Sequence, residues 1–90
     1  MKNIVFFVRH FTERGTEVSI FNYAYYNKKL LNNNSFIVCF TQKKQKALNW
    51  PNERPSYQKF LSEFKIIEIN EIDDMSKIIN DYNISYFYTQ

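Results

Sequence analysis

The amino-acid sequence predicts an α/β fold in which the short strands of one parallel sheet alternate with helices. Four apolar runs, rich in β-branched and aromatic residues, cover positions 4–8, 36–40, 66–69 and 86–88. Continuous apolar runs are typical of strands that are covered on both faces of a parallel sheet. The segments between the runs have the periodicity of amphipathic helices, so the predicted order is β-α-β-α-β-α-β.

The first linking segment predicts a helix from Thr16 to about residue 31. Thr16 can cap this helix through its hydroxyl, and Glu17 then lies near the positive end of the helix dipole. The polar run 32–35 predicts the turn that ends the helix. The apolar side chains that recur at helical spacing, and that we assign to the buried face, are Ile20, Phe21, Ala24, Tyr25 and Leu31.

The second linking segment is interrupted by Pro51 and Pro55, because proline removes a backbone donor and disfavours a helical residue before it. It predicts a short helical turn at about 44–49, a loop, and a helix at about 56–63. The predicted buried face of that helix consists of Tyr57, Phe60, Leu61 and Phe64.

The third linking segment has the clearest helical periodicity and predicts a helix at about 72–82. Its predicted core face consists of Ile72, Met75, Ile78, Ile79 and Tyr82. Crossovers that join parallel strands are nearly always right-handed. We therefore predict a three-layer α/β/α arrangement, a Rossmann-like half with strand order 3-2-1-4.

Length and composition indicate one domain over residues 1–90. The net charge of +3 is mild and forms no basic stripe, so we expect no nucleic-acid partner. No run approaches the roughly 20 apolar residues of a membrane span, and Cys39 lies within an apolar run, so we expect a cytoplasmic protein with a buried thiol. Because the sequence ends directly after the fourth predicted strand, we expect the N-terminal fragment of a larger domain.

The residues that could carry chemistry gather in the loop after the first predicted strand. In folds of this type ligands bind beyond the carboxyl ends of the strands, and this loop contains Arg9, His10, Arg14, Gly15 and Thr16. Backbone N–H groups at a helix N-terminus favour an anion, and glycine allows close approach to the backbone. We predict that these five residues bind a ligand, with His10 as the candidate catalytic group. The alternative is an ordinary βα turn with solvated charges.

Several other chemistries are disfavoured by the residue inventory. A single glycine leaves no G-x-G-x-x-G or P-loop motif, and one histidine and one cysteine make no zinc ligand set, so we predict no metal and no cofactor. The pair Arg9-His10 resembles the opening of the histidine phosphatase motif R-H-G-E. However, Phe11 and Thr12 occupy the glycine and glutamate positions, and the second histidine of that chemistry is missing.

Residues 9–18 resemble the first strand–loop–helix of glycosyltransferases built from two Rossmann-like domains, the GT-B architecture of group 4-like enzymes. In many N-terminal domains of that family a loop of the form strand–x–R-G-x-E opens onto the cleft between the domains. Here Gly15 matches the loop glycine, and Arg14 and Thr16 flank it. The rest of the chain resembles that domain in element order and element lengths.

The resemblance implies an acceptor-side domain. Its partners would be a nucleotide sugar and an acceptor sugar, and the nucleotide sugar would be held mostly by a C-terminal domain that these residues do not include. The 90 residues alone would then be inactive. Two alternatives stay open: a non-catalytic anion- or nucleotide-binding module of flavodoxin-like architecture, and a small interaction protein whose aromatic surface docks a partner.

Overall fold

Strands and helices alternate along residues 2–9, 11 and 16–89, the part of the chain that the computed structural model describes. The strands are β1 (Asn3–Phe7), β2 (Asn34–Phe40), β3 (Lys65–Ile69) and β4 (Tyr86–Tyr88). The helices are α1 (Thr16–Lys29), α2 (Gln42–Ala47), α3 (Arg54–Glu63) and α4 (Asp74–Asp81). The predicted strands are thus confirmed, and α2 is a full helix where a short helical turn was expected.

The four strands form one parallel sheet in the order β3-β2-β1-β4. Strand β1 lies at the centre, where Val5 is in register with Phe36 of β2 and with Phe87 of β4. The predicted fold class and strand order are therefore confirmed. Strands β3 and β4 form the two borders of the sheet.

Alternate residues of β1 supply two separate apolar clusters, one on each face of the sheet. Phe6 belongs to the first cluster and Val5 to the second, as the pleat requires. The first cluster is completed from α1 and α3, and the second from α4. The buried members of the first cluster are Phe6, Val8, Phe11, Ile20, Ala24, Ile37, Cys39, Phe60 and Phe64. Those of the second are Val5, Phe7, Val38, Phe40, Ile69, Met75 and Ile78.

Two helices end in an asparagine that adopts a left-handed backbone conformation. Asn49 follows α2 with φ of 59°, and Asn83 follows α4 with φ of 53°. Behind Asn49, the N–H of Trp50 donates to the carbonyl of Gln45 at 2.9 Å, which is the 6→1 hydrogen bond of a Schellman motif. The left-handed residue reverses the direction of the chain, so the residues after α2 return across that helix.

Several residues predicted to be buried are exposed. Leu31 is 68% exposed because α1 ends at Lys29, and Ile72 is 58% exposed because it precedes α4. Tyr25, Leu61 and Ile79 each follow a buried residue by one position, which turns the side chain by about 100° away from the core. The prediction of core positions was wrong for these five residues.

The remaining predicted core residues of the helices lie against the sheet. Ile20, Ala24, Phe60, Phe64, Met75 and Ile78 are buried, and Phe21, Tyr57 and Tyr82 are half-buried. Cys39 is also fully buried, as expected. Of the helices that the structure describes, none combines the length and the apolar composition needed to cross a membrane.

Candidate functional site

The described part of the predicted loop lies at the carboxyl end of β1. Arg9 follows that strand by two residues and its side chain is exposed, while Thr16 is the first residue of α1. His10, Arg14 and Gly15 lie outside the described residues, as does the side chain of Thr16. Whether the five predicted residues meet around a ligand therefore stays a prediction.

Phe11 fixes the start of this loop. Its N–H donates to the carbonyl of Pro51 at 3.0 Å and its carbonyl accepts from the N–H of Glu53 at 2.6 Å, so the two segments form a short parallel bridge. The Phe11 side chain is fully buried and makes edge contacts with Tyr57 and Phe60. Phe11, which occupies the glycine position of the phosphatase motif, is thus a fully buried member of the first apolar cluster.

A chain of two side-chain amides connects this loop to α2. Gln45 is 1% exposed, and its Nε2 donates to the backbone carbonyl of Arg9 at 3.5 Å. The Nδ2 of Asn52 donates in turn to Oε1 of Gln45. These bonds join α2, the loop after β1 and the segment that carries Pro51. Gln45 and Asn52 thereby form a polar wall between the three segments.

The direction of the two amides follows from the carbonyl at one end of the chain. A backbone carbonyl only accepts, so Gln45 must present its Nε2 to Arg9 and its Oε1 to Asn52. Asn52 must then present Nδ2, which leaves its Oδ1 pointing elsewhere. That Oδ1 is closed to solvent and accepts no hydrogen bond from the described residues. An unpartnered buried acceptor of this kind costs about 1–3 kcal/mol.

Trp50 reaches the same wall because of the reversal at Asn49. Its indole lies against the ring of Phe40, with the ring centroids 5.6 Å apart and the planes tilted by 41°. Trp50 is half-buried and adjoins the second apolar cluster. Its position is therefore fixed by packing on one side and by the Schellman motif on the other.

These residues surround a cavity of about 250 Å³, which we call the amide cavity. Three of its residues are at least half-buried, and the other three, on α2 and at its end, are exposed. No carboxylate is among the described residues that line it. The lining consists of Gln42, Gln45, Lys46, Asn49, Trp50 and Asn52.

A second polar group lies at the carboxyl ends of β2 and β3. The hydroxyl of Thr41 accepts from the N–H of Lys44 at 3.2 Å and so caps α2. The Nζ of Lys44 lies 3.7 Å from Oε1 of Glu71, and the carboxylate of Asp74 accepts from the N–H groups of Asn70 and Glu71. The charged side chains and backbone N–H groups here are paired with one another, so these contacts hold the start of α2 and the loop after β3 in place.

Neither Cys39 nor Tyr57 is activated as a nucleophile, and the described residues include no metal ligand set. Burial raises the pKa of the Cys39 thiol to about 12, and the nearby Glu68 carboxylate adds to the shift. Burial and Glu68 likewise raise the pKa of Tyr57. No three carboxylate, histidine or cysteine side chains in the described part converge in a way that could hold a metal ion.

Sequence reasoning did not predict the residues of the amide cavity. Gln45 lies in the run Gln42–Ala47, whose lysines and glutamines have the composition of a solvated surface segment. Hydropathy gives no signal that one of those amides is buried. The available local signal was the sequence Asn49-Trp50-Pro51, because asparagine accepts a left-handed conformation and proline often follows a helix end.

Comparison with known proteins gives no relative on which to base an assignment. No protein-family model, no curated protein and no solved structure matches the chain.

Proposed function

We propose that the chain is the N-terminal, acceptor-side part of a glycosyltransferase that uses a nucleotide-sugar donor. The observation that supports this proposal is the strand order β3-β2-β1-β4. In this order the winding of the sheet reverses between β1 and β4, and open α/β sheets bind their ligands beyond the carboxyl ends of the strands at such a point. Arg9 and the first residue of α1 both follow β1 at that end of the sheet.

The chemistry of the loop fits a ligand that carries hydroxyl groups or a phosphate. A helix N-terminus offers backbone N–H groups, and arginine offers a planar set of donors for a phosphate oxygen. In this proposal His10, Arg14 and Gly15 complete the loop with Arg9 and Thr16. The ligand class comes from the resemblance of residues 9–18 to the glycosyltransferase loop.

The proposal is tested by titrating the ¹⁵N-labelled 90-residue chain with methyl glycosides, a nucleotide sugar and inorganic pyrophosphate. We expect backbone signals between Arg9 and Glu17 to shift with the bound ligand. Because a charge-assisted hydrogen bond contributes about 1.5–3 kcal/mol, Arg14→Ala should weaken an anionic ligand roughly tenfold or more, with little change in melting temperature. Lys77→Ala, an exposed cation of α4, is the matched control and should change neither.

Three results would contradict the proposal. The first is the absence of any shift in these signals with every ligand. The second is binding of pyrophosphate without any glycoside or nucleotide sugar, which would favour the non-catalytic module of flavodoxin-like architecture. The third is turnover of a nucleotide sugar by the 90 residues alone that is abolished in His10→Ala, because that would indicate a self-contained active site.

A further inference from the structure

The amide cavity has the lining of a site for a neutral polar ligand. Gln42, Gln45, Asn49 and Asn52 contribute side-chain amides, each of which both donates and accepts hydrogen bonds. Among the lining residues that the structure describes, Lys46 carries the only charge. Small-molecule sites combine a few placed polar groups with an aromatic wall, and the indole of Trp50 provides that wall.

The wall of this cavity is held in place before any ligand arrives. Gln45 is 1% exposed and is hydrogen-bonded at both ends of its amide, to Arg9 and to Asn52. Trp50 packs on Phe40. A site whose groups are already ordered loses less side-chain entropy on binding.

The groups that a ligand can reach stand in front of this wall. The side chains of Gln42, Lys46 and Asn49 are exposed at the rim. Oδ1 of Asn52 is closed to solvent, so we assign it to the wall and not to the ligand contacts.

We propose that the amide cavity binds one ring of a neutral, hydroxyl-rich ligand, that is, a single sugar unit. Its volume of about 250 Å³ lies below the range of about 300–1,000 Å³ that is typical of sites for drug-sized ligands. Each ring hydroxyl both donates and accepts, which matches the amides, and the apolar face of the ring matches the indole. The choice of a sugar as the ligand rests on the proposed function and makes it more specific. Binding at this cavity is measured separately from sugar transfer.

Two other ligand classes fit the lining less well. A phosphate group would be expected to meet an arginine or several backbone N–H donors, and the described part of the lining offers one lysine. A nucleobase could stack on Trp50, but it presents fewer donors to the exposed amides of Gln42 and Asn49 than a polyol does. Both classes are included as probes in the test.

The test uses the fluorescence of Trp50, which is the single tryptophan of the chain. The 90-residue chain is titrated with methyl β-D-glucopyranoside, methyl α-D-mannopyranoside, adenosine and inorganic phosphate, into the tens of millimolar. We expect a saturable change in Trp50 emission with at least one glycoside. Gln42→Ala should raise its Kd about threefold to tenfold, as the loss of one hydrogen bond predicts.

The matched control is Gln58→Ala, which removes an exposed glutamine from α3. It should leave the Kd unchanged, and circular dichroism should show that both variants remain folded. The inference is overturned if no glycoside changes Trp50 emission, if adenosine or phosphate binds and the glycosides do not, or if the two variants weaken binding equally. Glycoside binding here without shifts in the Arg9–Glu17 signals would contradict the proposed function alone.

Discussion

At the scale of single residues, the burial of Gln45 has the clearest structural consequences. A glutamine that is 1% exposed keeps its place because both ends of its amide are hydrogen-bonded. The Nε2 of Gln45 donates to the backbone carbonyl of Arg9, so its Oε1 must accept from Asn52. This fixes the orientation of the Asn52 amide. Replacement of Gln45 by an apolar residue would leave Asn52 Nδ2 without this partner, and it would loosen the wall of the amide cavity.

From the burial of the Cys39 thiol we predict that the chain loses stability at alkaline pH. Burial raises the pKa of its thiol from 9.0 to about 12 in the folded chain, so only the unfolded chain ionises at this residue between those values. Stability from the neutral thiol is therefore complete below pH 9 and is lost as the pH rises towards 12. The maximal slope is about 1.4 kcal/mol per pH unit.

The measurement is the free energy of unfolding in urea from pH 8 to 10.5, compared between the natural chain and Cys39→Ala. The alanine variant should be less stable by an offset at pH 8, and the difference should shrink as the pH rises. The two proteins share every other residue, so the comparison isolates the thiol and its electrostatic effect on the pKa of Tyr57. A difference that stays constant with pH would show that the thiol ionises equally in the folded and unfolded chains.

At the scale of elements, the bridge between the loop after β1 and the segment before α3 depends on Phe11. Its ring is fully buried among Tyr57 and Phe60, and its backbone binds Pro51 and Glu53. We expect Phe11→Ala to lower the free energy of unfolding by about 3–5 kcal/mol, the range for buried phenylalanine. Phe87→Ala is the control, because Phe87 is 45% exposed and should cost much less.

Thermal or urea unfolding gives the loss of stability for Phe11→Ala and for Phe87→Ala. Equal losses for the two variants would mean that the loop after β1 is not anchored through Phe11. The amide N–H of Glu53, which donates to the Phe11 carbonyl, should also exchange faster with solvent in Phe11→Ala.

The same elements show which features can be predicted from sequence. Strand β4 was predicted to the residue, since its three aromatic residues stand between polar ones. Helix α2 was predicted only as a short helical turn at about 44–49, and the burial of its Gln45 was not predicted, because hydropathy assigns lysines and glutamines to the surface. The burial of Phe11 also escaped prediction, since one aromatic residue in a polar loop has no periodic neighbours. These positions depend on contacts between segments that are distant in sequence.

For the candidate site, the sequence predicts a position at the carboxyl ends of the strands and does not predict the residues of the amide cavity. The order of elements placed ligand binding at the carboxyl ends of the strands, where Arg9 lies. The amide cavity adjoins that edge through the bond from Gln45 to the Arg9 carbonyl. However, the return of Trp50 and Asn52 across α2 depends on a left-handed Asn49, and sequence gives that conformation only a modest preference.

At the scale of the whole molecule, two apolar clusters pack on opposite faces of a single sheet. Ile20 belongs to the first cluster and Ile78 to the second, so the two side chains lie on opposite faces. Ile20→Val and Ile78→Val should each cost about 0.5–1.5 kcal/mol, and the double variant should lose their sum within about 0.5 kcal/mol. Cooperative unfolding would lower the stability of both faces together.

Two probes separate this expectation from independent unfolding of the faces. Trp50 adjoins the second cluster, so its fluorescence reports that face, whereas circular dichroism reports all helices and strands. Ile20→Val should shift both urea midpoints equally. A shift in circular dichroism that leaves the fluorescence midpoint unchanged would show that the two faces unfold separately.

The asparagines that end α2 and α4 have a consequence at the level of the gene. Left-handed positions after helices most often carry glycine, and this chain contains one glycine in all. Glycine codons begin with two guanines, whereas asparagine codons begin with two adenines. A coding sequence depleted in G and C can therefore drift towards asparagine at Asn49 and Asn83 and still close both helices. Such a drift would change residues at helix ends, where asparagine accepts the left-handed conformation, and would leave the strands unchanged.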